Sequence, residues 1–379
     1  MDFELSEEHK IFQRTAAQFA QKEIAPLGEE CEEKEEYPKW LFRRAGELGF
    51  LGIPYPEQYG GTGPDTIALS IFAEETTKAD AGIAMGLVVQ NTVGTSPIYN
   101  FGSEELKQRY LVPAIRGELV GSFALTEPNV GSDVSSIEMM AREEGGSYIL
   151  NGTKTFASSG MMADYVIIAA RTEKGKGHRG ITIFLVEPQS PGFSRKGLKK
   201  LGIRAQDIAE FVLEDCPVPK ENILGEVGKG FYHLMSTVQK TTRIVVGASS
   251  VGLARAAFET ALRYAKERRQ FGQPIGKFQG IQFKLADMAT EIELASLLVY
   301  KAAWLNDKGK ECIKEASMAK LYASEMVNRV AYQALQIHGG YGYMREYPLE
   351  RYYRDARVME IFEGTSEIQR LIISRQLGL

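Results

Sequence analysis

The sequence predicts an α+β fold that is helical at both ends and β in the middle. Two changes of pattern along its 379 residues predict this order. Apolar residues recur at helical spacing in the first third and again after Gly230, whereas the middle third holds short β-branched and aromatic runs between turn clusters. We therefore expect an all-helical domain over residues 1–120, a β-sheet or barrel domain over 121–225 and a helical bundle over 226–379.

The first domain is expected to begin with an amphipathic helix. Phe12, Ala16 and Phe19 recur at helical spacing, with polar residues between them. Ser6 stands directly before two glutamates, so it is placed to cap this helix, and the acidic first turn favours the helix dipole.

The middle domain is expected to be an antiparallel sheet or a small barrel. The apolar runs at residues 165–170 and 181–186 have the composition of buried strands. Asn151-Gly152 lies between apolar runs and predicts a hairpin turn. No window of helical length and period interrupts this stretch, so βαβ units are not expected.

Long helices are expected again in the third domain. Leu285, Met288, Ala289 and Ile292 keep the spacing of one helix face. Gly339-Gly340 marks the end of a later helix in the same domain.

Composition and charge exclude several classes of function. The net charge of −4 and the isoelectric point near 5.8 give no attraction to a phosphate backbone, so we expect no nucleic-acid partner. Uninterrupted apolar stretches are too short to cross a bilayer, so no membrane span is expected. The three cysteines lie far apart and no His-x-x-x-His or Cys-x-x-Cys pair occurs, so neither a disulfide framework nor a metal site is expected.

One Gly-x-Gly-x-x-Gly pattern occurs, at residues 175–180. A dinucleotide fingerprint must open a helix, but a strand-like run follows here, so we interpret the glycines as a loop between two strands. The sequence also lacks a Gly-x-Ser-x-Gly nucleophile elbow and a phosphate-binding P-loop. The reactive groups that remain are carboxylates, hydroxyls or a cofactor that the protein binds.

Four segments resemble the signature motifs of the acyl-CoA dehydrogenase family. They read Thr-Glu-Pro-Asn-Val-Gly-Ser-Asp, Arg-Arg-Gln-Phe-Gly, Gln-Ile-His-Gly-Gly-Tyr-Gly and Glu-Gly-Thr-Ser-Glu-Ile-Gln, at residues 126–133, 268–272, 336–342 and 363–369. Each motif alone is weak, but four in the right order across an α-β-α chain are specific. The resemblance covers essentially the whole sequence and implies an N-terminal helical domain, a middle antiparallel β domain and a C-terminal four-helix bundle.

The same resemblance implies FAD as the cofactor, bound in a homotetramer that is a dimer of dimers. Carried over position by position, the residues that contact the flavin of their own subunit are Phe123, Leu125, Thr126, Gly131, Ser132, Phe156, Ser158, Thr365 and Glu367. Those that reach the FAD of the neighbouring subunit are Arg268, Phe271, Gln279, Gln336, Gly339 and Gly340. Those that contact the acyl-CoA are Ser132, Arg243 and Gly364.

The implied reaction is the α,β-dehydrogenation of an acyl-CoA thioester to a trans-2-enoyl-CoA. Glu363 is implied as the base that removes the α proton, while hydride passes to flavin N5 and the electrons go on to an electron-transferring flavoprotein. Desolvation raises the pKa of a glutamate toward the range in which a general base operates. Ile361 and Phe362 precede Glu363 and Gly364 follows it, which fits an apolar slot with close backbone approach.

Two other functions stay open at this point. A flavoprotein-coupled enoyl-CoA reductase would use the same base and flavin in the opposite direction, and a non-enzymatic helical interaction protein would use neither. Single residues also have structural interpretations: a solvated acid for Glu363, turn or cap residues for Thr126 and Ser132, a helix-dipole partner for Arg268 and a helix C-cap for Gly339-Gly340.

Departures from the family pattern narrow the expected substrate and location. Thr242 stands where some members place the base, so Glu363 is the expected base, and Phe156 replaces a common Trp. Residues 82–85 lack the arginine that would bind a distal carboxylate, so a dicarboxylyl substrate is disfavoured. The length of the acyl chain is not encoded in any motif, and a short-to-medium or branched chain is the expectation. The acidic start of the sequence lacks the features of a targeting peptide, so a bacterial or archaeal cytoplasm is expected, with a mature mitochondrial matrix form as the alternative.

Overall fold

The computed structural model describes residues 4–379, and its helices and strands follow the predicted order. The N-terminal helices are α1 (Glu7–Phe19), α2 (Gly28–Lys34), α3 (Trp40–Glu47), α4 (Thr66–Ala79), α5 (Ala81–Asn91), α6 (Ser96–Phe101), α7 (Glu104–Leu106) and α8 (Val112–Ile115). The strands that follow are β1 (Gly121–Ala124), β2 (Met140–Glu144), β3 (Ser147–Ser158), β4 (Tyr165–Arg171), β5 (Ile181–Val186), β6 (Phe193–Gly197), β7 (Ile208–Pro219) and β8 (Ile223–Leu224). The C-terminal elements are α9 (Gly230–Val238), α10 (Thr241–Glu267), β9 (Arg269–Gln270), β10 (Gln273–Pro274), α11 (Gln279–Asp307), α12 (Ile313–His338), α13 (Leu349–Ala356) and α14 (Ser366–Gln376).

The eight strands β1 to β8 form one sheet in the order β6-β7-β3-β2-β4-β5-β8, with β1 beside β4. The predicted fold class is confirmed, and most strand pairs are antiparallel. Two pairs, β1 with β4 and β2 with β4, are parallel, because the chain makes long connections before it returns to β4. The glycines at 175–180 lie in the loop between β4 and β5, as predicted, and Ser6 caps α1 by accepting from the His9 amide.

The hairpin predicted at Asn151-Gly152 is wrong. Both residues lie inside β3, which pairs with β7 along most of its length, and the turn between β2 and β3 is instead at Gly145-Gly146. Gly152 sits at a register shift with φ of +145°, and a Cβ there would lie 2.9 Å from the Cα of Met139. This glycine therefore permits a bulge and a close backbone approach instead of a turn.

The core of the helical part surrounds α10, which packs against α4, α11 and α12. A Cβ on Gly252 would lie 2.2 Å from the Glu74 carbonyl oxygen, so a glycine is required where α10 crosses α4. Among the described residues one helical stretch, Gly230–Glu267, is long and apolar enough to span a bilayer, but 78% of its apolar window is buried inside the protein. That burial is typical of a core helix.

A cluster of charged side chains joins α2, α13 and the segment between β6 and β7. Asp355 is buried and accepts a hydrogen bond from the Ile203 amide at 2.5 Å. Arg354 pairs with Glu32 at 2.6 Å and also donates to the Leu201 carbonyl at 3.1 Å, so the middle-domain segment lies against both helical parts. Burial raises the pKa of Asp355 to about 7.

We expect Asp355→Asn to flatten the dependence of stability on pH. An unfolded aspartate ionises near 3.9, so between that pH and about 7 the unfolded state loses a proton that the folded state keeps. The wild type therefore loses stability as pH rises through this window, by at most about 4 kcal/mol, and the amide variant lacks this contribution. Urea unfolding at pH 5 and pH 8 measures the difference, with the exposed Asp287→Asn as control. If the free energy of unfolding changes equally with pH in the wild type and in Asp355→Asn, the raised pKa of Asp355 is contradicted.

Candidate active site

Glu363 lies in a short turn directly before α14, in a left-handed backbone conformation. Its φ is +52°, and that of Gly364 is +91°. Among residues 4–379 only seven non-glycine residues have positive φ, and three of them, Phe156, Phe271 and Glu363, are residues that the sequence assigns to the site. Such conformations cost about 1–3 kcal/mol each and gather at functional sites, so the turn is held by its surroundings.

Two buried side chains hold this turn by its carbonyl groups. Lys320 on α12 donates from Nζ to the Gly364 carbonyl at 2.8 Å. The Gln369 amide donates to the carbonyls of Glu363 at 3.2 Å and Gly364 at 2.9 Å. The backbone N–H of Glu363 makes no hydrogen bond within residues 4–379, so it is left free to bind a ligand.

The Glu363 carboxyl is partly buried and faces two cations. Burial raises the pKa of Glu363, and the charges of Arg243 on α10 and Lys320 on α12 act in the opposite direction. Desolvation and positive charge therefore act on the pKa of Glu363 in opposite directions, and the pKa of a general base is set by such opposing effects.

Arg243 is 3% exposed, and its Nε has no hydrogen-bond partner among the described residues. Its Nη1 donates to the Gln239 carbonyl and to Ser317 Oγ, both at 3.3 Å. Burial lowers the pKa of Arg243 to about 10. An unpartnered buried guanidinium nitrogen beside Glu363 fits a residue that contacts substrate.

A second group of predicted residues meets where β1 and β3 end. The Thr155 amide donates to the Thr126 carbonyl at 2.9 Å, and Ser122 Oγ donates to the Ser158 carbonyl at 2.8 Å, so Thr126 and Ser158 lie on neighbouring segments. Neither the Thr126 nor the Ser158 hydroxyl makes a hydrogen bond within the described chain. Phe156, between them in β3, is 63% exposed.

The rest of this group lies on β1 and the loop after it. Phe123 and Leu125 are partly buried against the apolar core, whereas Gly131 and Ser132 are exposed. A Cβ on Gly131 would have no atom within 4 Å, so there is open space in front of this loop.

A buried ion pair supports the loop from behind. Lys154 in β3 is fully buried and bonds Glu127 at 2.7 Å and the Leu125 carbonyl at 3.0 Å. Glu127 in turn accepts from the amides of Glu138 and Met139 at 2.6 and 3.0 Å. The segment that carries Thr126 is thus fixed at both ends by one pair of charges.

The third group surrounds a cavity of about 520 Å³ that is lined by C-terminal domain residues alone. Arg268, Gly339 and Gly340 line it, and the Arg268 guanidinium lies over the Tyr341 ring at 5.4 Å. Arg268 makes no ion pair within residues 4–379, and open space faces Gly340. The cavity therefore offers a free cation and bare backbone to an anionic ligand.

Three other residues of the third group do not line this cavity. Phe271 is 92% exposed at the tip of the β9-β10 hairpin, Gln279 is exposed at the start of α11, and Gln336 is exposed near the end of α12. The structural interpretation of Gly339 as a helix C-cap is confirmed, since this residue caps α12 with φ of +60°. Thr365 caps α14 by accepting from the Ile368 amide at 3.3 Å, and Glu367 lies exposed in the first turn.

Sequence comparisons decide the family. The profiles described as acyl-CoA dehydrogenase N-terminal, middle and C-terminal domain match residues 6–118, 122–216 and 228–378. The probable acyl-CoA dehydrogenase YngJ of Bacillus subtilis is 48% identical over all of both chains. The chain belongs to the acyl-CoA dehydrogenase family. It is therefore an oxidoreductase.

Two further acyl-CoA dehydrogenase relatives show how much of the chain is shared. Subunit CarC of the caffeyl-CoA reductase-Etf complex of Acetobacterium woodii is 43% identical, with 98% of each chain covered. The butyryl-CoA dehydrogenase of Megasphaera elsdenii, whose structure is solved, is 42% identical over all of both chains, with a TM-score of 0.96. The similarity extends over all three parts of the fold.

FAD is the cofactor of this acyl-CoA dehydrogenase, and the residues present fit it. The free hydroxyls of Thr126 and Ser158 suit flavin heteroatoms, the open space at Gly131 and Gly340 admits a ligand against backbone, and Arg268 suits a pyrophosphate. Among the described residues no cluster of three His, Cys, Asp or Glu side chains could hold a metal ion.

Sequence reasoning missed three buried residues of this site: Lys154, Lys320 and Gln369. Lys320 had a signal, because it lies at helical spacing on the stripe formed by Ala316, Ala323 and Val327, all of which are buried. A lysine on an apolar stripe is almost never buried without a specific partner.

Proposed function

We propose that this protein catalyses the α,β-dehydrogenation of an acyl-CoA thioester to a trans-2-enoyl-CoA, with Glu363 as the base. One observation carries the proposal: a partly buried glutamate with a raised pKa lies in a left-handed turn and faces two buried cations. The family supports the reaction class.

In the proposed mechanism each residue around the thioester has a separate task. The Glu363 carboxylate takes the α proton, and the unpartnered Glu363 N–H donates to the thioester carbonyl, where negative charge develops. The buried positive charge of Arg243 favours the ionised form of this carboxylate, against the burial that raises its pKa. When bound, FAD would supply the hydride acceptor, and the Thr126 and Ser158 hydroxyls would orient its ring.

The cofactor is proposed to bind across a subunit boundary in a homotetramer. Residues of the middle domain, with Thr365 and Glu367, would hold the flavin of their own subunit. The cavity beside Arg268 would receive part of the FAD of a neighbour, with Phe271, Gln279, Gln336, Gly339 and Gly340 around it. Support comes from the cavity's lining, which includes no middle-domain residue.

An electron-transferring flavoprotein is proposed as the redox partner. CarC, 43% identical to this chain, is a subunit of a complex with Etf. The name of that relative also supports the second candidate function, a flavoprotein-coupled enoyl-CoA reductase. Both directions require the same base and the same cofactor.

A panel of CoA esters tests the proposal. Short, medium-length and branched acyl-CoA esters are added anaerobically to the yellow holoenzyme, and we expect at least one to bleach the oxidised flavin band and to reduce an artificial electron acceptor in turnover. Comparison with enoyl-CoA esters and reduced flavoprotein separates the two directions. A colourless protein, or a flavin that no ester reduces and no enoyl-CoA reoxidises, would overturn both functions.

A further inference from the structure

Lys320 is a fully buried lysine to which neither the cofactor nor the substrate has given a role. It has 0% exposure on α12, and among residues 4–379 its hydrogen-bond acceptor is one neutral group, the Gly364 carbonyl. Burial of an ammonium with a single neutral acceptor is costly, and here it lowers the pKa of Lys320 to about 8. An apolar residue in the same alanine-rich stripe would avoid this cost.

The surroundings of Lys320 explain why the charge is there. The nearby acids are Glu363, Glu360 and Glu367, with Glu363 exerting the strongest attraction, and the nearby cation is Arg243 on α10. Glu363 in turn faces Arg243 and Lys320. Lys320 therefore supplies one of two positive charges at the proposed base, and it does so from the side of α12.

The same lysine fixes the backbone that carries the base. Lys320 and Gln369 both donate to the Gly364 carbonyl, so its acceptor sites are used and it is turned into the protein. Gln369 also holds the Glu363 carbonyl. A Cβ on Gly364 would lie 2.7 Å from Gln369 Nε2. The clamp that Lys320 and Gln369 form on this turn therefore requires a glycine at position 364. These contacts offset the strain of the left-handed conformation at Glu363.

We propose that Lys320 is a positioning residue for the base, because it anchors the Glu363–Gly364 turn by its carbonyl and places a buried positive charge behind the carboxylate. The inference rests on the proposed role of Glu363. Gln369 shares the anchoring task and carries no charge. Substitutions of Lys320 and Gln369 therefore separate anchoring from charge. Loss of the lysine removes both the hydrogen bond to the turn and the positive charge, whereas loss of the glutamine removes hydrogen bonds alone.

The test compares Lys320→Met and Gln369→Met in the FAD-loaded enzyme. We expect Lys320→Met to move the acidic limb of the pH profile of kcat/KM upward by about one pH unit, because a cation that favours the ionised glutamate is lost while Lys320 is protonated throughout that range. Both variants should reduce flavin more slowly, by about tenfold, because the turn is less well fixed. Gln369→Met should keep the acidic limb of the wild type.

Controls distinguish this role from general stability and from failure of the proposed function. Lys320→Arg keeps the charge and should restore the position of the acidic limb, and Lys314→Met, on the same helix near its start, should leave rate and limb unchanged. A wild-type limb and rate in Lys320→Met overturns the inference, as does a drop in FAD content or melting temperature with an unmoved limb. If Glu363→Gln retains turnover, the proposed role of Glu363 as the base has failed instead.

Discussion

Replacing Glu363 with glutamine should lower the rate of flavin reduction by acyl-CoA on the order of 10³-fold or more, while FAD stays bound. A positioned general base contributes about 10²–10⁴ to the rate, and no second acid stands at Thr242 to replace it. The amide keeps the size of the side chain, and the clamp on the turn is made through backbone carbonyls, which the substitution leaves in place.

Stopped-flow bleaching of the flavin band measures this rate, and the absorbance ratio of the purified protein measures FAD content. Glu293→Gln, an exposed acid on α11, is a matched control and should behave as the wild type. Turnover in Glu363→Gln within tenfold of the wild type would show that another group removes the proton.

Lys154→Met should lower the free energy of unfolding by about 3–5 kcal/mol and weaken FAD retention. Removing one partner of a buried ion pair leaves an uncompensated charge, here Glu127, in a dry interior. The Leu125 carbonyl also loses its donor, so the segment that carries Thr126 is released from β3. The lost FAD would itself lower stability further, because a ligand bound only to the folded state adds to it.

Urea unfolding with and without added FAD separates the two effects. The solvent-facing Lys196→Met in β6 is the control, and a change of less than about 0.5 kcal/mol is expected there. If Lys154→Met unfolds at the wild-type urea concentration and retains its flavin, the ion pair does not hold the loop.

Much of the architecture was predictable because local pattern and tertiary structure agree. The runs at 165–170 and 181–186 are buried strands, and Ser6 caps its helix as its position before two glutamates indicates. The hairpin prediction at Asn151-Gly152 was wrong because a local turn preference competed with the long pairing of β3 with β7. That pairing is decided by residues about 60 positions away. Sequence spacing carries no information on that competition.

The residues of the candidate site likewise include some that the sequence predicted and some that it did not. Glu363 was assigned from its motif and Arg243 by carrying the family's positions over, and the structure brings them close enough for their charges to interact. Lys154 was missed because the identity of a residue does not reveal burial, which arises only when separate strands pack. Lys320 was missed although its spacing on the buried stripe of α12 indicated it. Thr365 shows a further limit, since its hydroxyl is used to cap α14 and a motif gives no sign of that second task.

The cavity beside Arg268 has a consequence for how the enzyme responds to dilution. In the proposed arrangement each polypeptide contributes the ring-binding half of one compartment and the phosphate-binding half of another, so prosthetic group and quaternary structure are thermodynamically linked. The fraction of FAD lost should then increase as the protein is diluted, and added FAD should shift the assembly equilibrium toward larger species. Hybrid oligomers made from two inactive parents, one defective at Thr126 and one at Arg268, would contain a statistical fraction of compartments in which both halves are intact.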